Sequence, residues 1–368
     1  MPKMGNVFGA IAIHAIWGCY PSCARFLTFR MELDPNILLF FSKVLSLLTL
    51  YALDKARSTR KSASGSESKQ MELVITSGKE NDDDKDTIEL IDTPEFKSQR
   101  IKYLAMWAFV ATMRAVLNMT SCMYTVAYNI AIVNSLSPLL SPVLEKIMLK
   151  SKPTSPPFLF KAIIGSVIGV VAISLGQSPY FEAFNISSLD LASTGSAEKH
   201  YFSQRDLVGV GIQLVSMVFS NVARMIMKLS EKYNISKEDL VQTQNVSTIT
   251  VVVLLGFIFT GVDSFIFAAN TITSSLGTFL VFAWLTWGIF SFAAMYQMNV
   301  VRSLGPTLYA SFTSIRIIVS VVLSYFLLHE PVDNYLEFFG ILIVVVIVSI
   351  FLAKLYFQTR LDKIRTIV

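Results

Sequence analysis

Long apolar runs constrain this chain more than any other feature. About 20 mostly apolar residues in a helix match the hydrocarbon thickness of a bilayer, roughly 30 Å. Ten such runs can be read: 5–29, 36–53, 102–125, 129–149, 158–176, 206–229, 239–261, 277–300, 306–327 and 336–355. Inside hydrocarbon each backbone polar group must be satisfied within its own segment, so the runs are helices. Composition agrees, with 53% hydrophobic and 15% charged residues, against roughly 25% charged in an average soluble domain. A soluble two-domain protein, a disordered chain, a coiled coil and a disulfide scaffold are excluded. The expected fold is an all-α integral membrane protein of about ten transmembrane helices.

Polar segments divide the chain. Residues 1–53 carry helices one and two. Residues 54–100 hold 9 Lys+Arg and 11 Asp+Glu and read as a disordered cytosolic loop, because such a composition cannot bury a core. Residues 101–176 carry helices three to five, 177–205 form an extracytosolic loop, 206–355 carry helices six to ten, and 356–368 form a cytosolic tail. Sidedness follows from Lys and Arg near span ends. Lys55, Arg57, Lys97, Lys150, Lys228, Arg302 and Lys354 mark one side, and loops 126–128, 262–276 and 328–335 have no basic residue. Both termini are therefore expected in the cytosol, in a plasma membrane or endomembrane. Asn185 in Asn185-Ile186-Ser187 is then a glycosylation candidate on the correct side. Five spans on either side of the 177–205 loop, an odd number, give the second half the opposite orientation. That is the condition for two inverted five-helix repeats.

Polar residues at helical spacing carry the functional signal. Arg114, Asn118, Ser121, Thr125 and Tyr128 step by three and four in span three, as do Asn134, Ser137, Ser141 and Glu145 in span four. Gln213, Ser216, Ser220 and Arg224 do so in span six, and Tyr309, Thr313, Arg316, Ser320 and Ser324 in span nine. Such spacing places each set on one helix face. A polar face against lipid is costly, so the faces should meet around a cavity or pack on one another. Arg114 lies about 18 Å and Arg316 about 15 Å along their spans at 1.5 Å per residue, near the midplane. Lys43 lies about 10 Å into span two. No Asp or Glu occupies the middle of a span. Unpaired buried cations are expensive, and Arg matches carboxylate and phosphate geometry, so an anionic or polar organic substrate is expected. The candidate substrate-binding residues are Lys43, Arg114, Asn118, Ser121, Asn134, Ser137, Tyr309, Thr313 and Arg316, with His14 and Trp17 as gate or wall. Arg25 reads as an interface anchor, and Arg224 as a side chain that snorkels to the surface. Gly165 and Gly169 read as a small-residue packing seam. The cysteines Cys19, Cys23 and Cys122 read as packing residues, and no metal site or cofactor is expected.

The residues Trp17-Gly18, Pro35, Lys43, Leu328-His329-Glu330-Pro331 and Gly340 resemble motifs of the EamA-like drug/metabolite transporter superfamily. The match departs from the pattern at Lys43, where Arg is common, and at Leu149-Lys150-Ser151-Lys152, which lacks the usual Gly-Glu. The resemblance implies two inverted five-helix repeats and alternating access around a central cavity. No paired Lys-Arg of the phosphate translocators is found near the end of span nine.

The expected function is a secondary transporter for a small polar or anionic organic metabolite, with the lipid bilayer and a small-molecule substrate as partners and no nucleic acid. A homodimer is compatible. The alternatives are a nucleotide-sugar-type exchanger of the endomembrane system, an intramembrane transferase and a channel. The transferase lacks HExxH, Gly-x-Ser-x-Gly and Walker A patterns, and no filter-like repeat favours the channel.

Overall fold

The computed structural model describes residues 4–72, 94–150, 159–176, 203–259, 261–330 and 334–365. Asn185 and the rest of the 177–202 segment lie outside them. The described residues are helical almost throughout. Six helical stretches are long and apolar enough to cross a membrane: Gly5–Arg30, Pro35–Leu53, Ala127–Leu149, Gln204–Tyr233, Leu276–Leu304 and Pro306–Leu328. The protein is a multi-pass membrane protein. Its side-chain distribution agrees. Phe8, Leu48, Phe160, Leu207, Ile258 and Phe339 are exposed, while Ser42, Ser46, Gln213, Asn221, Asn245 and Thr248 are buried. A polar interior with an apolar exterior suits a lipid surround.

Helix ends follow local chemistry. Helix α1 (Met4–Arg25) continues through a π-turn at Phe26–Arg30. Helix α2 (Pro35–Glu72) opens with Pro35 at its first position, and Asp34 Oδ1 accepts from the amides of Asn36 and Ile37 at 2.8 and 3.1 Å. Pro and a carboxylate cap suit the amides left free there. Helix α2 runs on to Glu72, where a disordered loop from residue 54 is expected, and α3 (Pro94–Tyr124) starts before residue 100. The reason is that 54–72 contains no Pro, and its Lys, Arg, Glu, Gln, Met and Ala residues carry a helix already nucleated in the membrane past its five serines and Gly65. Residues 73–93 lie outside the described part.

The fourth span is broken into α4 (Ala127–Ser135) and α5 (Ser137–Leu144) with a π-turn at Glu145–Leu149. Helix α6 is Leu159–Gly176. Helix α7 (Gln204–Leu229) begins with a capping box in which Ser203 and Asp206 satisfy each other's backbone amides. Helix α8 is Lys237–Phe259. The basic-free loop expected at 262–276 instead contains a helix, α9 (Asp263–Ser274), whose Phe265 packs on Phe40 and Phe41. The eighth span runs as α10 (Leu276–Ala283), a π-segment at Trp284–Ala293 and α11 (Ala294–Leu304). The ninth is broken into α12 (Pro306–Ala310) and α13 (Ile315–Leu328), and α14 spans Tyr335–Arg365.

Both broken spans tighten to three-residue spacing at the break. Leu136 donates to Val133 O at 3.1 Å, and Thr313 and Arg316 donate to Ala310 O and Thr313 O at 3.0 Å each. Pro138, which has no amide hydrogen for Asn134 O four residues back, accounts for the first break. Among the described residues the left-handed non-glycine positions are Glu32, Lys150, Asn234 and His329, with φ of 48–54°. They end the first, fourth, sixth and ninth spans.

The helices pair extensively across the chain: α6 with α14, α3 with α7 and α8, α1 with α13, α2 with α8, and α4 with α13. The crossing of α6 and α14 is very close. A Cβ on Gly169 would lie 2.8 Å from Gly340 O, and one on Gly340 would lie 2.6 Å from Gly169 O. The small-residue seam expected at Gly165 and Gly169 is thus a backbone-to-backbone contact, with Gly165 against Ile347.

Candidate functional site

The polar faces of α1, α3, α4, α7, α11 and α13 converge on a cavity. It is lined by Trp17, Tyr20, Arg114, Asn118, Asn134, Ser220, Arg224, Gln297 and Arg316, among others. A second, smaller hollow adjoins it, lined by Lys43, Gln244 and Phe290, and shares the wall formed by Trp17, Tyr20, Arg114 and Asn118.

Trp17 is the centre of this wall. Arg316 and Arg114 approach its ring at 5.6 and 5.9 Å, within cation–π range. Gly18 makes that approach possible. A Cβ there would lie 2.7 Å from Val319 Cβ and 3.1 Å from Arg316 O, so only glycine lets α1 close on α13. Trp17-Gly18 is in this sense one device, an aromatic wall beside a tight helix contact.

The remaining expected residues divide into cavity walls and their supports. Asn134 faces the cavity and is held by Gln213, whose Nε2 donates to Asn134 Oδ1 at 3.0 Å. Ser121 does not line the cavity; its hydroxyl donates to Gln213 Oε1 at 2.7 Å and steadies that chain of amides. Ser137 accepts from Arg224 at 3.4 Å. Thr313 turns its hydroxyl onto Ala310 O at 2.6 Å, closing the break between α12 and α13 rather than meeting a ligand. Tyr309 is fully buried, with its ring 4.4 Å from that of His14 and 5.9 Å from the Arg224 guanidinium. His14 is likewise buried behind the wall, between Arg316 and the Tyr309 carbonyl.

Two arginines are placed differently from expectation. Arg224 does not snorkel. It is 2% exposed, lines the cavity and donates to Asn221 Oδ1 at 3.0 Å. Its helix face looks inward, so depth along the span was a poor guide. Arg25 is not an interface anchor but a buried clamp. It pairs with Glu330 at 2.7 Å and donates to Thr125 O at 2.8 Å and Cys122 O at 3.3 Å, joining α1, α3 and the end of α13. The other end of the bundle is also fastened. Thr307 hydrogen-bonds the Glu145 carboxylate, Lys228 donates to Arg302 O at 2.5 Å, and Arg302 reaches Ser230 Oγ at 2.7 Å and Ile235 O at 2.8 Å.

Tyr20 stands near the cavity faces in the sequence reading as well, whereas sequence reasoning missed Gln244 and Gln297 as cavity residues. Gln244 sits in the polar run Gln242-Thr243-Gln244-Asn245 and Gln297 two residues before Asn299, so neither stands out without knowledge of which way its helix faces.

The charge at the site is one-sided. Lys43, Arg114, Arg224 and Arg316 all face the two hollows. Among the described residues the ion pairs are Arg25–Glu330, Arg100–Asp239, Lys228–Glu231 and Lys237–Glu238, so none of these four cations has a carboxylate partner there. Two polar atoms on the shared wall, Trp17 Nε1 and Asn118 Oδ1, also lack a hydrogen-bond partner. Among the described residues no group of three or more His, Cys, Asp or Glu comes together to offer a metal site.

No family model and no curated protein matches the chain. Solved structures do. One, described as the crystal structure of a protein, superimposes with a TM-score of 0.54 over 95% of this chain and 96% of that chain at 12% identity. At that identity the similarity is one of fold along nearly the whole length of both chains.

Proposed function

We propose that this protein is a secondary carrier that moves a small organic anion across a membrane by alternating access. The observation that carries the reading is the unmatched charge of Lys43, Arg114, Arg224 and Arg316 around one cavity in a membrane protein. Buried cations without counter-charge are costly. An anionic ligand supplies the missing partner, and guanidinium groups suit carboxylate or phosphate oxygens. A transferase would need an activated nucleophile or a paired acid and base facing the cavity, and the hydroxyls of Ser220 and Tyr20 on its walls have no His, Asp or Glu among the lining residues to activate them.

Several features support ten spans in two inverted repeats. Spans four and nine are each broken, at Leu136 and between Ala310 and Ile315. The left-handed non-glycine residues end spans one, four, six and nine, which are counterparts five apart. Spans two and seven, four and nine, and five and ten pair with one another, and the pairing of three with six is matched by that of eight with one. Discontinuous helices at a repeat interface are where secondary carriers bind substrate. In this arrangement both termini face the cytosol, as the basic residues indicate. The Arg25–Glu330 clamp then closes the outer side, and the Glu145–Thr307 and Lys228–Arg302 contacts close the inner side.

The test is counterflow in liposomes reconstituted with the full chain. Labelled organic anions should exchange saturably, and Arg316→Gln should abolish exchange at unchanged reconstitution. Exchange of neutral or cationic solutes alone would overturn the reading.

A further inference from the structure

The distribution of charge between the two hollows narrows the substrate. Resting on the anion-carrier reading, we propose that the cavity is built for a two-ended organic anion: an acid group at each end of a short chain that carries a hydroxyl between them.

Arg224 and Arg316 face only the larger hollow, Lys43 faces only the smaller, and Arg114 lies on the wall between. A single small anion such as phosphate can neutralise one end and leaves the other bare. Lys43 is 1% exposed, and its ammonium sits 4.5 Å from the centre of the Phe290 ring. A cation–π contact compensates only part of the lost hydration, so an acid group entering the smaller hollow gains the most there. The larger hollow offers three guanidiniums and takes the more highly charged end, a carboxylate or a phosphate. Each Arg presents a planar fork of donors to such a group.

The shared wall specifies what lies between the ends. Asn118 Oδ1 is an acceptor without a donor and Trp17 Nε1 is a donor without an acceptor. A hydroxyl can donate to the first and accept from the second. An unsubstituted methylene leaves both unpaired, at a cost in affinity.

The test is titration calorimetry on the full-length protein in detergent, with propionate, succinate, malate, inorganic phosphate and phosphoglycolate. Succinate and phosphoglycolate should bind at least tenfold more tightly than propionate and phosphate, and malate several-fold more tightly than succinate. Lys43→Gln should weaken the two-ended ligands more than it weakens phosphate and so remove most of their advantage, and Lys43→Arg should retain it. Equal binding of one-ended and two-ended anions overturns this inference and leaves the anion-carrier reading in place. Failure of every anion to bind overturns both. The comparison among ligands is made on the unmodified protein, so it stands even if a Lys43 variant misfolds.

Discussion

Arg316 donates from Nε to His14 Nδ1 at 2.9 Å, and His14 Nε2 lies 2.9 Å from the carbonyl oxygen of Tyr309. A guanidinium can only donate, so Nδ1 accepts and the ring proton sits on Nε2, pointing at the carbonyl. The imidazole is therefore a neutral strut that aims the Arg316 fork into the cavity. A hydrogen bond to a charged group contributes about 1.5–3 kcal/mol. His14→Leu should lower anion counterflow by about 10–100-fold, while the variant still reconstitutes. Retention of full exchange in that variant would show that Arg316 needs no such support.

The Arg25–Glu330 clamp joins residues 305 positions apart, with Arg25 buried and Glu330 partly buried. Removing one member strands the other, at a cost below the about 3–5 kcal/mol of a fully buried pair. Glu330→Gln and Arg25→Gln should each depress the unfolding temperature in detergent, and the double variant should be less damaged than the sum of the singles. Additive losses in that cycle would mean that the two side chains do not interact energetically.

Glycine substitutions separate close helix crossings from open space. Gly340→Ala and Gly169→Ala place a methyl group within 2.6–2.8 Å of the opposing backbone carbonyl, and overpacking of this kind costs about 1–3 kcal/mol. Gly5 and Gly211 have nothing within 4 Å of an added Cβ, so alanine there should leave stability unchanged or raise it slightly, since alanine favours helix. Thermal unfolding of the four variants checks the contrast.

Trp17 combines a ring face and a polar edge, and the two can be separated. Trp17→Phe keeps an aromatic face toward Arg114 and Arg316 but loses the unpartnered Nε1. It should weaken ligand binding several-fold. Trp17→Ala removes both and should weaken it by a further factor of about ten, the scale of a desolvated cation–π contact. Equal effects of the two substitutions would assign the whole role of Trp17 to its NH group.

Much of the site was legible because helical periodicity is local. Arg114, Asn118, Asn134 and Arg316 were found by spacing alone, and all four line the cavity. What spacing cannot supply is the rotation of one helix against its neighbour. Arg25 was misread because its partner is set by a contact between chain ends, and Arg224 because depth was used where facing direction decides. Ser121, Ser137 and Thr313 lie on the correct faces but spend their hydroxyls on Gln213, Arg224 and the backbone. Their role is to hold the walls. The extension of α2 to Glu72 was hidden for a different reason. Its charged composition suits disorder and exposed helix alike, and the apolar helix already formed before it decides between them.

The crossing of Gly169 with Gly340 also has a consequence for how the protein is made. Helix α6 packs this groove against α14, yet α14 is synthesised long after α6. Until then the α6 seam has no partner within its own chain and must wait in lipid or against the insertion machinery. A nascent chain that stops short of α14 exposes this seam permanently, which offers membrane quality control a structural mark of an unfinished molecule.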